Sequence, residues 1–308
     1  MHHVVFLYPG QGSQLAGMGS DLYQAYPQSK ELFDQADQLL GFSLSRLCFD
    51  GPEERLSQDL NAQLAVYTVS CVLTRLLGDH GIAPDVVSGY SSGFYAAAYG
   101  AGCFDFIDGL TLVKRAGEIL LEEGEKIDGT MALIFGLSAE EVEGICKQVG
   151  HVEPAIINTP RQIVISGLAS SVAKTMELSK EKGALDAYPL SVATAYHSRF
   201  MEKSSVRLLE EIKDGRWKDP KMPLVSYLYL EPVDKNELGK VMAAQLSHSV
   251  FWVDLIRKLR NSDAGLFIEV GPGTVISRTV RWIDRGIEIL SASGKESLLE
   301  AVERCKTL

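Results

Sequence analysis

The stretch DVVSGYSSGFYAAAYGAG, residues 85–102, limits what this chain can fold into more than any other segment. An apolar run passes into Gly89-Tyr90-Ser91-Ser92-Gly93 and then directly into small, helix-forming residues. A simple turn needs one glycine. Two glycines bracketing Ser91 symmetrically predict a bend so tight that side chains two residues away would collide. Gly-x-Ser-x-Gly between a strand and a helix is the nucleophile elbow, which lifts a serine hydroxyl above the strand ends and aims the helix N-terminus at the reacting group. A plain glycine-rich loop could carry the same five residues. The apolar run before them favours the elbow, as do Ala96, Ala97, Ala98, Gly100 and Ala101 after them, which let the helix lie close on a sheet.

The rest of the chain repeats the alternation. VVFLYP (4–9) reads as a strand, followed by helices over about 19–40 and about 61–80; GLFIEVG (265–271) reads as a buried strand leading into a helix through Ile276–Ile283. Such alternation predicts a parallel sheet covered by helices. The middle differs: MALIFGL is a strand and SAEEVEGICKQVG a helix, with Ser138 as N-cap and Glu141 three residues on. EPAIINT and QIVISG follow as two strands a few residues apart, then SSVAKTMELSKEKG as a helix and ALDAYPLSV as a fourth strand. That β-α-β-β-α-β order is ferredoxin-like. The expected fold class is α/β: a large α/β-hydrolase-like subdomain with a parallel sheet (1–128 and 192–308) and an inserted ferredoxin-like α+β subdomain (129–191).

Bulk properties exclude several alternatives. With 30 basic and 40 acidic residues the net charge is −10, which argues against nucleic acid as a partner. The five cysteines are scattered without CxxC spacing, so neither a disulfide framework nor a metal site is expected. No uninterrupted apolar run approaches the roughly 20 residues of a membrane span. The N-terminal apolar run is too short for a signal peptide and lacks a basic region before it, which predicts a cytoplasmic protein. A monomer is the default expectation.

Several motifs then occur in an order that is similar to one family. YPGQGSQ (8–14), GYSSGFYAA (89–97), NTPRQIVISG (158–167), TAYHSRFM (194–201), Val250-Phe251-Trp252 and EVGPG (269–273) run colinearly over nearly the whole chain. They resemble the malonyl-CoA:acyl carrier protein transacylases and the acyltransferase domains of polyketide synthases. The resemblance implies the same two-subdomain fold and ping-pong transfer of an acyl group from coenzyme A to the phosphopantetheine thiol of an acyl carrier protein. Acyl-CoA is then a substrate, and no cofactor or metal is implied.

The resemblance assigns Ser91 as nucleophile and His197 as its base. Among the other histidines, His2 and His3 sit at the N-terminal end, His80 and His151 at polar helix ends, and His248 near a helix end. No acidic third member is implied, because backbone carbonyls near the Val250–Trp252 segment orient the imidazole; Phe251 stands where the family has Gln. The oxyanion falls to the backbone amides of Gln11 and Ser92, and the glycines of PGQG suit that close approach. Gln63 matches a glutamine lining the family's site, with Leu64 in place of a proline. Asn158 matches an asparagine at the rim, where turn capping is the competing role.

Two departures stand out. Tyr90 and Phe94 replace the His and Glu that usually flank the elbow, which predicts a less polar pocket. The family holds the malonyl carboxylate with the arginine of L-V-x-x-R-G, whereas this chain has Leu112-Val113-Lys114-Arg115-Ala116-Gly117. Without gaps Ala116 takes the arginine slot and Arg115 sits one residue early, about 100° around a helix. If Arg115 swings in, malonyl is the expected group, the family's default; if not, the pocket suits a monocarboxylic acyl chain, because a buried carboxylate without a partner is costly. Tyr196, before His197, resembles the malonyl-selecting variants and equally caps a short-acyl pocket. Acyl hydrolysis on carrier proteins, and a non-catalytic docking subunit, are the other functions the fold allows; Ser91 together with His197 argues against the second. An acidic carrier needs a local basic surface, for which Arg278, Arg281 and Arg285 form one helical face and Arg199, Lys203 and Arg207 another.

Overall fold

The computed structural model describes residues 3–262 and 264–308; His2 lies outside them. Four strands, β1 (His3–Tyr8), β2 (Val86–Gly89), β7 (Ala264–Val270) and β8 (Ile289–Ala292), form a parallel sheet in the order β2-β1-β7-β8. Helices cover both faces of such a sheet, so its strands read as continuous apolar runs. In β1 every residue from Val4 to Tyr8 is buried. Glu269 is the polar exception in β7. Its buried carboxylate accepts from the Ile276 and Ser277 amides at 2.9 and 2.8 Å and from Ser277 Oγ at 2.5 Å, which ties the strand to the first turn of the Val275–Ile283 helix.

The other four strands are β3 (Gly129–Phe135), β4 (Val152–Thr159), β5 (Gln162–Leu168) and β6 (Asp186–Pro189), an antiparallel sheet in the order β4-β5-β3-β6. The helices Ala139–Val149 and Ala169–Glu181 complete the β-α-β-β-α-β path. Ser138 and Glu141 make the reciprocal capping box. The two-residue period of a strand divides this sheet. Ala132, Ile134, Ile163 and Ile165 pack with Val142, Ile145 and Val172 in a small separate core, whereas Met131, Leu133, Ile156 and Val164 line a cleft on the opposite face. Leu133 and Ile156 both lie opposite Val164 in the ladder, so the three form one cross-strand row.

Two expectations need correction. The helix over 19–40 is two, Ser20–Ala25 and Pro27–Leu40, because Pro27 lacks an N–H and holds Tyr26 extended at φ −129°, ψ 119°. The strand read from ALDAYPLSV narrows to β6, and the chain after it leaves the sheet to line the cleft with Leu190, Ser191 and Val192. The Asp59–Asp79 helix is long and apolar enough to cross a membrane by length and composition, but polar residues interrupt it and most of it is buried inside the protein.

Candidate active site

Ser91 stands at the end of the parallel sheet. The Tyr90 amide still donates to the Tyr8 carbonyl at 2.8 Å, and one residue later Ser91 takes φ 54°, a left-handed conformation that only a well-determined surrounding sustains in a residue with a Cβ. The glycines make this possible. A Cβ on Gly89 would lie 2.3 Å from the Gly93 carbonyl group, and one on Gly93 would lie 2.1 Å from the Tyr8 carbonyl oxygen. The helix Gly93–Gly100 starts immediately, packing Phe94 to Ala98 into the core. Its first turn is therefore held against both β1 and β2.

His197 reaches the same point from the chain leaving β6. Its Nε2 lies 2.7 Å from Ser91 Oγ. Its Nδ1 faces two carbonyl oxygens, Gln245 at 2.9 Å and His248 at 3.2 Å. A carbonyl only accepts, so Nδ1 carries the proton and Nε2 presents a lone pair to the serine. Burial pushes the imidazole pKa from 6.5 down to about 4, against the smaller opposite pull of those two carbonyls. The ring is neutral at ordinary pH and ready to accept a proton. The orienting carbonyls come from the turn after the Lys235–Ala244 helix, not from Phe251, whose carbonyl receives the Leu255 amide instead. His248 thus contributes its backbone, while its ring bonds Ser247 and the Ala244 carbonyl.

The remaining sequence-predicted residues divide into those the fold brings to Ser91 and one it does not. The Gln11 amide donates to Ser92 Oγ at 3.2 Å, which sets it beside the elbow, and Ser92 precedes the first residue of the helix. Gln63 Nε2 donates to Gln11 Oε1 at 3.0 Å. Asn158 is buried and lines the cleft; Oδ1 accepts from Tyr90 Oη at 2.5 Å, so it caps no turn. Tyr90 in turn meets Trp252 edge-on at 5.1 Å, and the loss of the usual histidine does not empty the site of polar bonds. Ala116 lines the cleft.

Arg115 does not. Its guanidinium makes a bidentate pair with Glu211 at 2.6 and 2.7 Å and reaches Glu118 at 3.2 Å. The helix Phe106–Gly124 runs unbroken through this region, so the two neighbours point about 100° apart. The expectation that Arg115 contacts the substrate is corrected by that phase. Of the two basic faces, Arg199 pairs with Glu153 and Arg207 with Glu122 and Glu123, whereas Arg281 and Arg285 flank the exposed Trp282 in a surface recess.

One residue was missed altogether. Asp59, at the start of its helix and 9% exposed, accepts from Gln11 Nε2 and Tyr196 Oη at 2.5 Å each and from the Ala193 amide at 2.8 Å. It binds the first loop, the long core helix and the histidine loop into one network. Its partners lie 48 and 134 or more residues away, so only the motif-like spacing of its neighbour Gln63 could have drawn attention to it.

The cleft holding these groups has a volume of about 410 Å³, and a serine paired with an oriented, neutral imidazole beside helix-terminal amides can carry acyl transfer. Comparison with known proteins agrees. The acyl transferase domain family matches residues 5–287. The chain is 36% identical to a malonyl CoA-acyl carrier protein transacylase of Bacillus subtilis, over 99% of this chain and 98% of that one. Among solved structures, the malonyl CoA-acyl carrier protein transacylase of Coxiella burnetii superposes with a TM-score of 0.95 at 31% identity, covering 98% of both chains. A malonyl-transacylase in complex with its type II polyketide synthase acyl-carrier protein gives 0.95 at 29% identity, over 98% of this chain and 99% of that one. This chain belongs to the acyl transferase domain family and is an acyltransferase.

Proposed function

We propose that the protein moves an acyl group, malonyl in the relatives named above, from coenzyme A to the phosphopantetheine thiol of an acyl carrier protein through an acyl-serine. The observation that carries this reading is the 2.7 Å contact between Ser91 Oγ and His197 Nε2, with Nδ1 anchored on two carbonyls. Nε2 takes the hydroxyl proton as Oγ attacks the thioester carbonyl. The oxyanion of the tetrahedral intermediate is held by the Gln11 and Ser92 amides. As the intermediate collapses the C–S bond breaks, and His197 returns the proton to the departing thiolate. The carrier thiol then gives its proton to the same Nε2 and attacks the ester carbonyl. As this second intermediate collapses the C–O bond to Ser91 breaks, and His197 returns the proton to Oγ, restoring the hydroxyl and the neutral ring. No acid is required behind the histidine, because it is neutral before each step and the carbonyls stabilise the imidazolium that forms.

Intact-mass spectrometry after incubation with acyl-CoA tests this directly. The wild-type chain gains one acyl mass, holo-carrier protein removes it and becomes acylated, and Ser91→Ala gains nothing. An adduct that persists in Ser91→Ala, or that leaves only as free acid in the presence of carrier, would sink the proposal.

A further inference from the structure

The cleft that receives the acyl group contains no side chain able to hold a carboxylate as an ion pair. None of the described residues lining it is Lys, Arg, Asp or Glu. Next to the elbow most of its polar groups are engaged with one another, Tyr90 with Asn158, Gln63 with Gln11, and Gln11 and Tyr196 with Asp59. The buried Gln245 Nε2 is a donor without a partner, but it carries no charge. Beyond them the wall is Ala116, Leu120, Met131, Leu133, Ile156 and Val164. Among the described residues, the formal charge that hydrogen-bonds to this lining network is that of Asp59, and it is negative. Arg115, the nearest cation in sequence, is held outside by Glu211 and Glu118.

A malonyl carboxylate bound here would lose its water, find no cation in exchange and approach a buried carboxylate of its own sign. Each of these disfavours it. An acyl group ending in hydrocarbon meets none of these costs, and it covers the apolar row that the cleft face of the antiparallel sheet exposes. We infer that the acyl cleft prefers thioesters of uncharged aliphatic acids to the malonyl thioester. This deepens the acyltransferase reading and rests on it.

Single-turnover acylation of the wild-type chain by acetyl-, propionyl-, butyryl- and malonyl-CoA, followed as the Ser91 adduct, decides the matter. The uncharged donors should acylate about tenfold or more faster than malonyl-CoA, the scale on which a buried mismatch is discriminated. Malonyl-CoA reacting as fast as the best of them overturns the inference and leaves the acyltransferase reading standing. No adduct with any donor overturns both. Arg115→Ala sharpens the test, since its side chain is on the surface: the ratio of rates should stay within about twofold. A selective loss of malonyl acylation in that variant means that Arg115 enters the cleft, and defeats the inference. Ala116→Arg should move the ratio toward malonyl, and the wild-type panel remains decisive should that variant not fold.

Discussion

The two sheets contribute to the cleft in different ways. The parallel sheet supplies backbone geometry: a serine at φ 54° on a bend whose glycines have no room for a methyl group. The antiparallel sheet supplies a wall of side chains, Met131, Leu133, Ile156 and Val164, carried on strands of which β4 shifts register on either side of the Ile156–Ile157 pair. Chemistry therefore depends on positions where one atom is too many, while the choice of acyl group depends on positions where atoms can be exchanged. A fold divided in this way can keep a reaction and change its substrate.

The largest effect should come from the rigid half. In Gly93→Ala the new Cβ would meet backbone, 2.1 Å from the Tyr8 oxygen and 2.7 Å from the Pro9 oxygen. No rotamer change relieves a clash with main chain, so β1 and the helix must separate. Overpacking typically costs about 1–3 kcal/mol, and a clash with main chain belongs at the upper end of that range; the displaced serine should lose acylation about 100-fold. Urea denaturation alongside the acylation rate measures both. A variant with wild-type stability and rate would show that the elbow is softer than its contacts imply, and the contrast between the sheets would disappear.

How much of this was legible follows the same division. Ser91 could be read because its geometry demands glycine at fixed spacing, and glycine is visible in a sequence. His197 could be read through its motif, but the carbonyls of Gln245 and His248 could not, since a backbone acceptor leaves no trace in residue type. Helical phase separated Ala116 from Arg115 in the sequence but left open whether Arg115 swings in; the Glu211 and Glu118 carboxylates that hold it away could not be read. The wall was hidden. MALIF is apolar at every position because both faces of β3 are covered, one by helices and one by the cleft, so nothing in its composition distinguishes Leu133 from Ile134. Asp59 was hidden for another reason: its partners come from distant loops that only the tertiary fold brings together.

The imidazole gives the second prediction, because its depressed pKa comes from its burial beside the elbow. With a pKa near 4 rather than 6.5, His197 stays an active base as pH falls and is lost only when the pH passes through the lower value. Acylation at pH 5.5 should stay near its neutral rate, where an unperturbed histidine would leave about one tenth of the base form. A kinetic acid limb centred near 6.5 would mean that the closed, desolvated arrangement does not persist in solution. The linked effect on stability has the same sign. Below 6.5 the unfolded chain takes up a proton at this ring that the folded chain refuses until about 4, so this group's contribution declines as pH falls across that window.

The smallest effect should come from the exchangeable wall. Leu133 lies beside Val164, with Ile156 beyond it in the same row, and opens onto a cleft rather than a sealed core. Leu133→Ala should therefore cost no more than about 2–3 kcal/mol, the low end for a buried leucine, because solvent or substrate can occupy the space vacated. The same space lengthens the apolar trough. Relative acylation rates across a series of straight-chain acyl-CoA donors should shift toward longer chains, by about fourfold for each extra buried methylene at the preferred length. The rate with the shortest donor should change little, because its contacts lie at the elbow and not at the wall. An equal fall with every donor would place Leu133 in the support of the serine, and would make the two sheets one functional unit where the geometry describes two.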